Sequence, residues 1–113
     1  MSETGGGSNE QRRTIIKKDS SGDDIGKITI GPNKKGFGGW LQGLFIREDK
    51  RKQGLWGELV DEALTTSSFT EVRTEIAMSN TISVKMHEAR GFVLESTKTD
   101  KSGNVYGIFI KKK

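Results

Sequence analysis

The residues best suited to chemistry lie in one run from Leu44 to Leu59. It reads Leu-Phe-Ile-Arg-Glu-Asp-Lys-Arg-Lys-Gln-Gly-Leu-Trp-Gly-Glu-Leu. The run begins apolar, as a strand would, crosses a basic turn, and enters a helix at Gly54. The first turn of a helix leaves backbone N–H groups unpaired and carries partial positive charge, so it attracts anions and phosphates in particular. Arg47, Lys50, Arg51 and Lys52 add cations around that end. Glycine at position 54 would let backbone approach an anion where a Cβ would obstruct it. The pattern therefore reads as a phosphate cradle between a strand and a helix. The alternative is an ordinary loop closed by a capping glycine.

A second stretch, Asn80 to Phe92, reads Asn-Thr-Ile-Ser-Val-Lys-Met-His-Glu-Ala-Arg-Gly-Phe. It places an Asn after a strand, then a short helix, then Gly-Phe opening the next strand. The two stretches together resemble the Gcn5-related N-acetyltransferases (GNAT). That family's acyl-CoA signature, Gln/Arg-x-x-Gly-x-Gly/Ala, would here be Arg51-Lys52-Gln53-Gly54-Leu55-Trp56. Trp56 stands where the family has a small residue, and His87 where it usually has Tyr. The resemblance runs from about Arg12 to the C-terminus. It implies an α/β fold with an acyl-CoA N-acyltransferase-like mixed sheet. It also implies acetyl-CoA as cosubstrate, and direct transfer of its acetyl group to a primary amine of a protein lysine or a small molecule.

The resemblance also assigns roles. Leu44, Phe45 and Ile46 would pair their backbone with the pantetheine arm, as a strand edge pairs with a peptide. The pyrophosphate would meet the N–H groups of Arg51, Lys52, Gln53, Gly54, Leu55 and Trp56. Trp56 could instead join the buried stripe of its helix. Asn80 would bond the cofactor arm, or only cap its own helix. His87, in the Tyr position, would reprotonate the departing thiolate, which an imidazole can do near neutral pH; otherwise it is structural. An attacking amine must be neutral, so a base is needed. The third strand offers only Trp40 and Gln42, and Gln42 could orient water. Glu75 on the next strand is the nearest carboxylate, unless it is simply a solvated strand residue.

The rest of the composition narrows the field. A chain of 113 residues with 31% hydrophobic content is one domain with a modest core. The absence of Cys excludes disulfides, thiolate metal sites and Cys nucleophiles, a single His argues against a His-cluster metal site, and no metal is expected. There is no apolar run of the roughly 20 residues that a membrane span needs, and no apolar leader, so a cytoplasmic enzyme is expected. The net charge of +4 favours anionic partners: nucleotide cofactors, nucleic acid or acidic protein faces.

The elements that must position these residues follow from local pattern. Residues 1–11, with Gly-Gly-Gly-Ser, are too polar to offset their ordering entropy and are expected to form a disordered tail before a domain spanning 12–113. Strands are expected at Arg13–Lys18, Ile25–Ile30 and Trp40–Ile46, with Gly31-Pro32-Asn33 breaking the second. Leu55, Trp56, Leu59, Val60, Ala63 and Leu64 recur at helical spacing. A strand over Phe69–Met78, a helix over Thr81–Arg90 and a hairpin of Phe92–Thr97 with Val105–Ile110 complete the order β-β-β-α-β-α-β-β. The strand and two helices that the family places before these elements are not in this sequence, and a homodimer would be one way to complete the acceptor groove. That shortening, Trp56 and the lack of a third-strand carboxylate support a rival reading: a GNAT-like binding module for nucleic acid or protein with little or no catalysis.

Overall fold

The computed structural model describes residues 12–51 and 53–113. The expected tail and Lys52 lie outside the described residues. The order is β1 (Arg13–Lys18), β2 (Asp24–Pro32), β3 (Gly39–Ile46), a short 3-10 turn (Glu48–Lys50), α1 (Leu55–Thr66), β4 (Glu71–Ala77), α2 (Thr81–Ala89), β5 (Val93–Thr99) and β6 (Val105–Lys112). This is the expected mixed α/β order. The six strands form one sheet in the order β1-β2-β3-β4-β6-β5. Only the β3–β4 pair is parallel. That follows from the helical crossover between them, since tight hairpins can join only antiparallel neighbours.

One sheet face is dry. Alternation along β2, β3 and β4 turns Ile28, Ile30, Leu41, Val72 and Ile76 inward, where Leu59, Val60, Ala63 and Leu64 of α1 cover them. The apolar stripe read from the sequence is this contact. The second helix joins α1 on that side: Arg90, just past α2, donates to Gly57 O at 3.3 Å and to Asp61 Oδ1 at 3.0 Å. A Cβ on Gly57 would run into the Arg90 guanidinium, so the glycine makes room for the clamp. Alternate residues, among them Trp40, Gln42, Arg73 and Glu75, belong to the opposite face.

Two boundaries differ from expectation. Strand β2 does not break at Gly31 but runs on through Pro32, with rungs Gly31↔Trp40 and Pro32↔Gly39. Asn33 N–H donates to Gly38 O toward β3, so the Pro32 nitrogen faces the β1 side. There β1 has already ended at the Arg13↔Ile30 rung, and the missing donor costs nothing. Strand β4 stops at Ala77, and Met78 is half-buried beyond it.

A cleft where two parallel strands part

The site is built by a failure of pairing. Strands β3 and β4 share only three rungs, Gly39↔Val72, Trp40↔Arg73 and Leu41↔Thr74. Past Leu41, β3 leaves β4 because it bulges against β2: the register jumps from Thr29↔Gln42 to Lys27↔Phe45. Gly43 sits in that bulge at φ +66°, a left-handed conformation that a side chain would oppose. The last paired carbonyl, Leu41 O, accepts from the buried Thr74 Oγ1 at 3.1 Å. A threonine on β4 thus finishes the ladder at the point where the strands separate.

The gap opens a cleft of about 440 Å³. It brings together six of the residues given roles from sequence: Gln42, Leu44, Trp56, Glu75, Asn80 and His87. They come from β3, α1, β4 and α2, so only the fold unites them. Asn80 caps α2, its Oδ1 accepting from Ser83 N–H at 3.1 Å. The cap uses the carbonyl oxygen and leaves the amide NH2 without a partner among the described residues. The two readings of Asn80 are therefore compatible.

His87 is buried, 3% exposed. Its Nδ1 lies 2.8 Å from Ser83 O, and a carbonyl can only accept, so Nδ1 carries the proton and Nε2 the lone pair. The ring packs edge-on against Phe92, centroids 5.2 Å apart. Burial pushes its pKa below the ordinary 6.5, the Ser83 hydrogen bond opposes the shift, and the Arg90 charge adds to it. The imidazole is therefore neutral near pH 7 and presents an acceptor. The acid role that the Tyr position implies would require an imidazolium, which this burial opposes.

Trp56 belongs to both of its readings. It packs against the core and also lines the cleft. Its Nε1 is buried and has no hydrogen-bond partner among the described residues. A buried indole N–H normally finds an acceptor, and leaving one unpaired costs about 1–3 kcal/mol. Leu55, beside it, is half-buried against the core.

The turn leading to α1 is less cationic than its sequence. Arg47 is taken up by Asp49, at 2.6 Å, and reaches Asp19 at 3.5 Å. Arg51 Nε donates to Ile46 O at 3.0 Å, so it tethers the turn to the end of β3 and occupies one of the carbonyls expected to face a ligand. Ile46 is buried and Phe45 exposed; neither lines the cleft. Gln53 Nε2 donates to Asp49 O at 3.3 Å. Gly54 is the N-cap of α1 at φ +80°, with no side-chain cap on the helix. A Cβ there would meet nothing within 4 Å, so the glycine is demanded by its left-handed φ and leaves the helix end open. The first α-helical bond runs from Glu58 N–H to Gly54 O at 3.1 Å, which leaves the N–H groups of Leu55, Trp56 and Gly57 outside the ladder.

Glu75 lies at the mouth of the cleft and pairs with Lys98 at 2.9 Å. With Trp40 and Gln42 it also lines a second cavity of about 690 Å³ on the opposite sheet face. The two cavities therefore meet at these three side chains. Among the described residues there is no cluster of His, Cys, Asp or Glu that could hold a metal, and no helix is long and apolar enough to cross a membrane.

A parallel pair that opens beside an uncapped helix is a distinctive arrangement, and sequence comparison names it. The profile of the acetyltransferase (GNAT) family matches residues 7–92. The chain belongs to that family. Solved structures show the same fold. A chimera of the Vibrio cholerae spermidine N-acetyltransferase SpeG and hSSAT superposes with a TM-score of 0.77 at 18% identity, over 92% of this chain and 68% of that one. A protein from Acinetobacter baylyi assigned as an acetyltransferase gives 0.79 at 16% identity, over 88% and 62%. A Desulfovibrio desulfuricans protein assigned to the GNAT family gives 0.74 at 17% identity, over 90% and 69%. This GNAT chain thus spans roughly two thirds of each of these structures. A search of curated proteins by sequence finds no match.

Sequence reasoning missed five residues that build or flank the site: Gly43, Gly57, Thr74, Ser83 and Arg90. Gly43, a glycine inside a strand pattern, is a recognisable bulge signal. Ser83 and His87 stand four apart on a helix, a spacing that brings them together. Thr74 and the Gly57–Arg90 clamp carry no local signal, because each depends on a partner from another element.

Proposed function

We propose that this GNAT chain transfers an acetyl group from acetyl-CoA to a primary amine by direct attack. The observation that carries the reading is the β3–β4 gap, which gathers Leu44, Trp56, Asn80 and His87 around a buried, unpartnered indole N–H. That orphan donor is what a cleft built for a polar ligand would contain. The open end of α1 supplies further donors, the N–H groups of Leu55, Trp56 and Gly57, to phosphate oxygens. The Asn80 amide and the backbone freed at Gly43 and Leu44 would hold the pantetheine arm.

Acetyl-CoA supplies a thioester: as the amine nitrogen bonds to its carbonyl carbon the C–S bond breaks, the thiolate leaves with the electron pair, and the nitrogen gives up a proton. In this chain Glu75, where the two cavities meet, would take that proton directly or through a water that Gln42 orients. Lys98 orients the Glu75 carboxylate. His87, neutral and with no partner for Nε2 among the described residues, would accept a hydrogen bond in the cleft, and Ser83 fixes its tautomer.

The test is a titration of the labelled protein with acetyl-CoA, with free-thiol release to an amine panel measured beside it. Amide shifts at Leu44, Leu55, Trp56 and Gly57 and amine-dependent thiol release are expected. Saturable binding without transfer to any amine would favour a binding module, and unaltered spectra at millimolar acetyl-CoA would remove the reading altogether.

A further inference from the structure

The cavity on the opposite sheet face has a charge that its chemistry must answer. Arg12, Lys34, Lys35, Arg73 and Lys98 line it against a single carboxylate, Glu75. Two of these cations are already neutralised. Arg73 makes a double contact with Glu95, at 2.8 and 2.9 Å, and bonds Glu71 at 2.6 Å, which raises its pKa further. Lys98 is held by Glu75. Arg12, Lys34 and Lys35 have no carboxylate within ion-pair distance among the described residues. They line it from the residue just before β1, which lies against Gly31, and from the β2–β3 loop, where Phe37 is 68% exposed. Gln42 lies three residues along β3 from Gly39, where that loop ends, which is roughly 10 Å of extended strand.

We propose that the acceptor is a lysine within an acidic peptide segment. This rests on the acetyl-transfer reading of the site. The segment lies in the cavity with its carboxylates against Arg12, Lys34 and Lys35, and its lysine reaches past Trp40 to the junction at Gln42 and Glu75. The spacing sets the pattern: acidic residues about three positions from the lysine in an extended chain. Phe37 and Trp40 give the segment an apolar floor. A polyamine would bring further cations to a surface that already has three unpaired ones, so the charge selects against it.

The test uses the full chain and three short labelled peptides, each with one central lysine. Their positions three and four away are Glu, Gln or Arg. Binding is read by fluorescence anisotropy, which needs no catalysis, and transfer is read by thiol release with acetyl-CoA. Exposed ion pairs contribute about two- to fivefold in affinity each, so the Glu peptide should bind and react about tenfold better than the Gln peptide at low salt. The Arg peptide and spermidine should be worse than both. High salt should compress the series. The double variant K34E/K35E should abolish the preference for Glu while leaving acetyl-CoA affinity intact. Equal binding of all three peptides, a preference for spermidine, or an equally charged oligonucleotide binding more tightly than the Glu peptide would overturn the proposal. Failure of acetyl-CoA to bind would instead strike the enzyme reading, and the anisotropy series would still decide the preference for acidic peptide.

Discussion

Replacing Trp56 by Phe should separate what the indole does for the fold from what its N–H does for a ligand. In the free protein, Nε1 is buried and without an acceptor among the described residues. Phe removes that donor, which relieves about 1–3 kcal/mol of unpaired desolvation. The smaller ring also gives up packing against the core, by about 0.5–1.5 kcal/mol on the scale of modest core truncations. The two effects oppose each other and the relief is the larger, so the melting temperature of the free Trp56→Phe variant should hold or rise by a few degrees. A net loss of 1 kcal/mol would already lower it by roughly 4 °C or more in a domain this small. Binding has the opposite sign. If acetyl-CoA supplies the missing acceptor, the wild type recovers the same 1–3 kcal/mol on binding, because the donor was desolvated in advance. Loss of that gain should weaken the dissociation constant by about 5- to 150-fold, at 1.4 kcal/mol per factor of ten. Calorimetric titration of both proteins, with thermal melts of the free forms, measures the two signs together. Equal affinities with a clearly lowered melting temperature would refute the reasoning and assign Trp56 to the core alone.

Thr74→Val should leave Leu41 O without its donor where the strands part, and should cost about 1–3 kcal/mol in denaturant unfolding, while Thr74→Ser keeps the hydroxyl and most of the stability. A valine variant as stable as wild type would show that Leu41 O finds another partner. The pH dependence follows from His87. Its folded pKa lies below the unfolded value of 6.5 because burial disfavours the charged ring, so the unfolded chain binds more protons as the pH falls. Stability should therefore be undiminished by His87 above about pH 6.5 and fall progressively below it, down through the depressed pKa. His87→Gln should flatten that part of the profile, and identical profiles would assign the slope to the carboxylates.

The order of elements and the helix faces were legible in the sequence because their causes are local. The spacing of Leu59, Val60, Ala63 and Leu64 makes one apolar stripe whatever it packs against. Asn80 caps α2 through Ser83, three residues away, and Gly54 ends the basic turn in a conformation few other residues accept. Two motifs were enough to indicate the GNAT family. The electrostatics of the turn were not legible. Four basic residues suggested a cationic collar, yet Arg47 is paired within its own turn and Arg51 ties down Ile46 O. A residue type states what a side chain can bond, and only its neighbours decide what it does bond.

The cleft itself belongs to the tertiary structure. The sequence contains Gly43 and Thr74, but nothing local says that β3 will bulge against β2, or that a threonine 33 residues from Leu41 will close the ladder there. It contains one His, but its tautomer is set by Ser83 O and its neutrality by burial. The sequence by itself determined which pieces form and which residues could bind an anion or move a proton. The meeting of Trp56, Asn80, His87 and Glu75 in one gap was decided only when two strands distant in sequence paired for three rungs and then separated, because that pairing depends on contacts no local segment can specify.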